Sequence, residues 1–391
     1  MTTPTFEALG VSRDLAATLA AQGIETPFPI QALTIADGLA GRDVCGKAKT
    51  GSGKTLAFGL PLLQRVRHAE PRRPTGLILV PTRELANQVF GVLSELAATR
   101  GQRVAAVYGG VGFEQQIAAL RDGVDVIVGT PGRLIDLLER RELRLDALDV
   151  LVLDEADRML DMGFLPQVQK ILYRLVSDPQ TMLFSATLDG AIRRLVDRYM
   201  RDPVFHEVAS QDPTVDEMEH RFLVVHQMDK AKVAAAISQG VQRTLVFSRT
   251  KRGADRLVSD LRREGVRAAA IHGDLRQAAR EKALADFMAG KVPVLVATDV
   301  AARGLHIDAV DVVVHYDPPE DHKAYLHRSG RTARAGETGV AVTLVLWNQE
   351  NEVRAVRRPL GITDPFVEVF SNDPRLADLH HLGAGEATVP A

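Results

Sequence analysis

The stretch "DVCGKAKTGSGKTLAFGLPLL" occupies residues 43–63. A short apolar run, "DVC", leads into a glycine-rich turn and then into "LAFGLPLL", the order strand, loop, helix. Glycines in such a loop let the backbone bend until successive amide N–H groups point inward, a cradle for a β-phosphate. Lys54 adds a mobile positive charge for the β- and γ-phosphates, and the Thr55 hydroxyl is a ligand for Mg²⁺. Thr50, Gly51, Ser52, Gly53, Lys54 and Thr55 are therefore the candidate nucleotide-binding residues. The general pattern starts on Gly, where this chain has Ala48.

A phosphate loop of this kind needs a second strand that ends in an acid. "LVLDEADRML" (151–160) supplies one, an apolar run driven into Asp154, Glu155 and Asp157. Asp154 is spaced to hold the metal with Thr55, directly or through water. Glu155, next along, is spaced to orient or deprotonate an attacking water. Hydrolysis of a phosphoric anhydride is mostly positioning and charge neutralisation. Lys54, Asp154, Glu155 and one Mg²⁺ form a minimal catalytic set for ATP.

Around these motifs, short apolar runs alternate with longer amphipathic ones, the pattern of parallel sheets covered by helices on both faces. The first half reads as strands at 77–80, 103–109, 125–129, 149–154 and 181–185, with helices over 84–97, 114–121 and 190–200. In the second half "RFLVV", "RTLVFS", "RAAAIHG", "VPVLVATD", "DVVVHY" and "GVAVTLVL" repeat the rhythm. The stretch 206–220 lacks apolar periodicity and contains a Pro. The expected division is one α/β domain over 1–207, a linker over 208–218, a second domain over 219–364 and a short flexible tail over 365–391.

The chain has 391 residues, 46% hydrophobic and 25% charged, with a net charge of −2. That composition is ordinary for a globular protein and excludes a general polycation, so nucleic-acid contact must come from locally placed Lys and Arg. The single cysteine, Cys45, excludes an intramolecular disulfide and reads as a small hydrophobe in the first strand. No apolar run reaches the ~18 residues needed to span a bilayer, and a cytoplasmic, monomeric protein without a membrane partner is expected.

"DEAD" at 154–157 resembles the name-giving motif of the DEAD-box ATP-dependent RNA helicases, and the likeness extends in order over roughly residues 6–345. It is carried by Phe6, "GIETPFPIQ" (23–31), "AKTGSGKT" (48–55), "PTREL" (81–85), "GG" (109–110) and "TPGR" (130–133). It continues through "SAT" (185–187), "VFSRT" (246–250), "RQAAR" (276–280), "ATDVAARG" (297–304) and "HRSGRTARAG" (327–336). The resemblance, to the bacterial type with a minimal helicase core, implies an α/β chain of two tandem RecA-like domains. Each would be a mostly parallel sheet with helices on both faces.

What the resemblance implies about residues is specific. Gln31 would pair with adenine N6 and N7, for which a side-chain amide has the geometry, and Phe6 would stack on the base. Arg331 and Arg334, three apart and expected on one helical face, would meet the developing charge on the γ-phosphoryl group once the domains close. Asp157, Ser185, Thr187 and His327 would couple the nucleotide state to the RNA state. RNA would lie along Pro81, Arg83, Gly109, Gly110, Thr130, Gly132 and Arg133, with Arg280, Thr298 and Asp299 from the second domain. These are backbone donors and guanidiniums, which read phosphates and sugars rather than bases. The family commonly has Asp at the ribose contact, where this chain has His306, an imidazole with one hydrogen bond to give or take.

Three activities use this set of residues: local unwinding or remodelling of RNA, an ATP-gated clamp on RNA, and a general nucleic-acid motor. The hydrolytic residues are complete, which favours turnover. The slightly negative net charge leads us to expect weak, salt-sensitive RNA binding without ATP, with a protein or ribonucleoprotein partner supplying specificity.

Overall fold

The computed structural model describes residues 4–48, 51–188, 190–208, 218–302, 307, 310–332 and 339–379. The chain divides into two compact units, Met1–Ser210 and Gln211–Ala391. The first holds seven strands: β1 (Val44–Lys47), β2 (Gly76–Leu79), β3 (Val104–Val107), β4 (Val126–Gly129), β5 (Val150–Leu153), β6 (Gln180–Ser185) and β7 (Val204–Glu207). The second holds seven more: β8 (Met218–Val224), β9 (Thr244–Phe247), β10 (Ala268–Ile271), β11 (Val294–Ala297), β12 (Val312–His315), β13 (Gly339–Val345) and β14 (Phe366–Glu368).

The first sheet runs β3-β4-β2-β5-β6-β1-β7 and the second β10-β11-β9-β12-β13-β8-β14. Renumbered from their own first strands the two orders are the same, so the repeated rhythm of the sequence is a repeated topology. Every pairing in both sheets is parallel, as in Leu77 opposite Leu151 and Leu245 opposite Val313. Helices cover both faces, because parallel strands need crossovers and each crossover buries one face. Alternate residues of one strand enter opposite cores: Ile78 packs in one cluster, Leu77 and Leu79 in the other. In the second unit Val246 faces one cluster while Leu245 and Phe247 face another. The two sheets are the tandem RecA-like architecture the sequence implied.

Two strands escaped the sequence reading. β7 alternates half-buried and exposed residues as an edge strand beside β1. β14 lies in the segment expected to be a flexible tail, yet it pairs with β8. Phe366 packs on Phe222 with ring centroids 5.6 Å apart, and Leu376 and Leu379 complete the second core. The Asp229 carboxylate accepts from the Ser371 amide at 2.6 Å and its hydroxyl at 2.8 Å. A three-residue strand among Pro and Asp leaves no periodicity to read; it is stable only because a sheet edge is waiting. Residues 380–391 of the expected tail, and 209–217 of the expected linker, lie outside the described residues, and Met218 already opens β8.

Candidate active site

In doubly wound sheets the loops at the carboxyl ends of the strands form the ligand crevice. The loop after β1 runs straight into the helix Lys54–Arg65. Gly51 and Gly53 both sit at φ +84°, a backbone that side chains avoid. A Cβ on Gly53 would collide with the Gln31 amide and the Phe28 ring. The reason is visible in the bonding: Gln31 donates from Nε2 to the Gly53 carbonyl at 2.9 Å and accepts from the Phe28 amide at 2.9 Å. Gln31 thus braces the phosphate loop and caps its own helix, with one amide hydrogen left for another acceptor. Thr50 lies outside the described residues, and Thr55 is half-buried on the first turn of the helix.

Lys54 reaches the end of β5. Its ammonium is 2.9 Å from Glu155 Oε1, and the two side chains are only 5% and 3% exposed. Burial alone would lower the Lys54 pKa, but the charges of Glu155 and Asp154 outweigh it and the net direction is upward. Burial pushes the Asp154 carboxyl up to about 6, against the pull of Lys54 and with help from Glu155. A hidden carboxylate pair and one cation are balanced on each other here, and that balance is what an incoming phosphate and metal would replace. Asp154 and Thr55 offer oxygen atoms, the donor type Mg²⁺ takes. Among the described residues no group of three or more His, Cys, Asp or Glu is arranged to hold a metal, so an ion here would take its remaining ligands from phosphate and water.

Glu155 itself has left-handed backbone, φ 52° and ψ 48°, at the start of the short helix Ala156–Asp161. Asp154 Oδ1 accepts the Glu155 amide at 2.9 Å, and Arg158 stands 3.4 Å from Glu155 Oε2. Asp157 meets the end of β6: its amide donates to Ser185 Oγ at 3.3 Å. Its Oδ2 accepts from the Ala186 amide at 3.2 Å, the Thr187 amide at 3.1 Å and the Thr187 hydroxyl at 3.5 Å. Burial and the neighbouring Glu155 raise the Asp157 pKa.

The remaining motifs of the first unit lie on the same carboxyl edge. Pro81 is buried after β2, and Arg83 opens the helix Arg83–Ala98, capped by Thr82. The Arg83 guanidinium covers Gly110, where φ is +84° and a Cβ would strike it. Gly109 and Gly132 have open space where a Cβ would be. Thr130 and Pro131 start the helix Pro131–Glu139.

In the second unit, Arg280 is buried on the helix Gln277–Met288, and Thr298 and Asp299 follow β11. The Asp299 carboxylate is forked by Arg328, from Nε and from one terminal nitrogen, both at 2.6 Å. His327 is exposed on the helix His322–Ser329. His306 and Arg334 lie outside the described residues.

A DEAD/DEAH box helicase family model matches residues 28–195, and a helicase conserved C-terminal domain model matches 228–336. The DEAD-box ATP-dependent RNA helicase CshA of Bacillus licheniformis is 42% identical over 358 residues, 91% of this chain and 73% of that protein. The chain belongs to the DEAD-box family of ATP-dependent RNA helicases. CshA of Geobacillus kaustophilus is 43% identical over 90% of this chain and 76% of its own length. Among solved structures, Saccharomyces cerevisiae Dbp5 bound to RNA and ADP BeF3 superposes with a TM-score of 0.79 at 31% identity, covering 94% of this chain and 96% of that one. A DEAD box protein from Methanococcus jannaschii covers 93% and 99% at 34% identity, with a TM-score of 0.51.

Three DEAD-box positions depart from the expectations drawn from the sequence. Phe6 is 3% exposed and packs in the core of the first unit, leaving little ring face for a base. The exposed aromatic beside the phosphate loop is instead Phe28, 55% exposed. Arg133 is 6% exposed and turned inward. Its guanidinium donates to the Val111 carbonyl at 2.7 Å, the Gly112 carbonyl at 3.3 Å and Gln116 at 3.1 Å, over the Phe113 ring. It shapes the loop beyond Gly110 instead of presenting a free cation. Arg331 does not continue a helix: His322–Ser329 ends at Gly330, and the Thr332 hydroxyl donates to the Val310 and Asp311 carbonyls, drawing the chain away. Arg328 and Arg158 are site neighbours that motif reading passed over; each lies within a quoted stretch, directly after an assigned residue, His327 and Asp157.

Proposed function

We propose that this DEAD-box protein hydrolyses ATP in an RNA-stimulated manner and uses the cycle to separate short RNA duplexes locally or to remodel RNA–protein assemblies. The observation that supports this best is the buried Lys54–Glu155 pair at 2.9 Å beside Asp154, at the mouth of a glycine loop. As the phosphates enter, the loop amides of Thr50, Gly51, Ser52 and Gly53 take them, and Lys54 exchanges Glu155 for the β- and γ-phosphates. Released from its cation, Glu155 orients and deprotonates the attacking water. Asp154 and Thr55 would hold Mg²⁺, which supplies charge neutralisation at the phosphates. Gln31 and His306 would meet the base and ribose.

Arg331 and Arg334 of the second unit would complete the site on domain closure, so that turnover waits for both ligands. RNA would run along Pro81, Arg83, Gly109, Gly110, Thr130 and Gly132, and along Arg280, Thr298 and Asp299. Asp157, Ser185, Thr187 and His327 would transmit the state of one ligand to the other. Such contacts are independent of sequence, so a partner would choose the target. A cytoplasmic site of action, as a monomer, belongs to the same reading. No helix among the described residues is long and apolar enough to cross a membrane.

The test is steady-state ATP hydrolysis without nucleic acid, with single-stranded RNA and with matched DNA, Glu155→Gln serving as the blank. Stimulation by RNA alone, lost in the variant, is expected. Equal stimulation by DNA would replace the proposal with a general nucleic-acid motor.

A further inference from the structure

The loops at the amino ends of β2, β5 and β6 line an open cavity of about 630 Å³ in the first unit. Because the sheet is parallel throughout, this edge lies opposite the one that carries Lys54, Glu155, Arg83 and Thr187. Five arginines line the cavity, Arg72, Arg73, Arg141, Arg144 and Arg174, around an apolar floor of Leu138, Leu143 and Leu145. Val176 is 82% exposed and stands at the rim. Arg72 is held by Glu142 at 3.0 Å, and Arg73 and Arg144 share Asp146. Arg141 and Arg174 make no ion pair among the described residues.

The backbone singles out the same place. Among the described residues four non-glycines have left-handed φ: Arg72 at 62°, Arg141 at 59°, Glu155 and Asp202. One belongs to the candidate active site, and two line this cavity. Arg141 sits just past the helix Pro131–Glu139, where its amide donates to the Leu138 carbonyl at 3.1 Å and the Glu142 amide to Leu137 at 3.0 Å. Glycine is the usual residue at that position because it has no Cβ to clash. Strained non-glycine residues persist where the side chain has a use.

We propose that this cavity docks an acidic peptide segment of a protein partner. An aliphatic side chain of the peptide seats between Leu138 and Val176, and carboxylates beside it are forked by Arg141 and Arg174, a geometry guanidiniums favour. A phosphate backbone follows a stripe of cations and makes no use of an apolar floor; an acidic peptide with one apolar anchor uses both. Docking here leaves the carboxyl edge of the sheet open, so a bound partner does not compete with nucleotide or RNA.

The experiment uses the full chain and a fluorescent peptide of Glu and Asp around one central Leu, the same peptide with central Ala, and a single-stranded RNA. Measured by anisotropy, the Leu peptide is expected to bind on the order of tenfold tighter than the Ala peptide, and tenfold tighter than to the R141G/R174A variant. RNA-stimulated ATPase should be unchanged in that variant. R141G alone should unfold at the same or a higher temperature, because glycine relaxes the turn. R174E, at an exposed position, carries the test if the double variant does not fold. Absence of Leu-peptide binding at millimolar concentration, or equal affinity for the variants, overturns the proposal. So does a variant that loses RNA affinity and keeps the peptide, which would make the cavity a nucleic-acid contact.

Discussion

Glu155 concentrates the local cost of this fold at one residue. It carries left-handed backbone, a buried carboxylate and a buried cation partner at once. Removing the cation leaves two hidden carboxylates uncompensated, which in buried pairs costs about 3–5 kcal/mol. Lys54→Met should therefore lower the unfolding free energy of the first unit by roughly 3 kcal/mol, besides abolishing hydrolysis. Denaturant titration followed in the first unit would show it; an unchanged midpoint would mean that the carboxylates protonate at no cost. Gly53 is the second point of strain. Gly53→Ala must place a Cβ against Gln31 and Phe28 at φ +84°, and the expected loss is about 1–3 kcal/mol with weakened ATP affinity. Thermal melts with and without ATP measure both.

At the level of elements, the end of β6 and the short helix after β5 are tied through one carboxylate. Asp157 Oδ2 accepts three donors from Ala186 and Thr187, and Ser185 accepts the Asp157 amide. None of these groups touches Lys54, so removing them should spare the hydrolytic machinery. Ser185→Ala combined with Thr187→Ala is expected to keep RNA-stimulated ATPase within a few-fold and to reduce duplex separation by on the order of tenfold, since each neutral bond is worth about 1 kcal/mol. Parallel ATPase and strand-displacement assays decide it, and equal loss in both would show that the tie serves hydrolysis itself. In the second unit the Arg328–Asp299 fork holds the loop after β11 to the helix His322–Ser329 in the same way.

Across the whole chain, stability depends on pH through a buried histidine in the second unit. His315 on β12 is fully buried, 3.1 Å from the Thr343 hydroxyl, edge-on to Tyr325 and near His220 and Arg328. Burial, then the positive charge of Arg328 and the proximity of His220, hold its pKa well below 6.5. Above pH ~6.5 both folded and unfolded chains carry it neutral, so it has no effect. Below that, the unfolded chain takes a proton that the fold refuses, and stability falls by up to about 1.4 kcal/mol per pH unit until the folded pKa is reached. The second unit should melt progressively earlier from pH 7 to pH 5, and His315→Gln should flatten that slope. A slope unaffected by the substitution would assign the acid sensitivity to other groups.

The sequence by itself determined the elements whose chemistry is local. A glycine loop between an apolar run and a helix, and an apolar run ending in Asp154 and Glu155, are legible because strand period and turn chemistry act over a few residues. The repeated rhythm foretold two parallel sheets for the same reason. Tertiary structure alone decided where weakly patterned residues went. β14 forms because β8 offers an unpaired edge, Phe6 is buried because the first core surrounds it, and Arg133 turns inward because the carbonyls of Val111 and Gly112 need a donor. The arginine-lined cavity is likewise invisible in sequence, since its walls come from three loops that only the parallel sheet brings to one edge. Local preference is worth tenths of a kcal/mol per residue, whereas burial and buried hydrogen-bond satisfaction are worth one or more, and so they prevail wherever the two disagree.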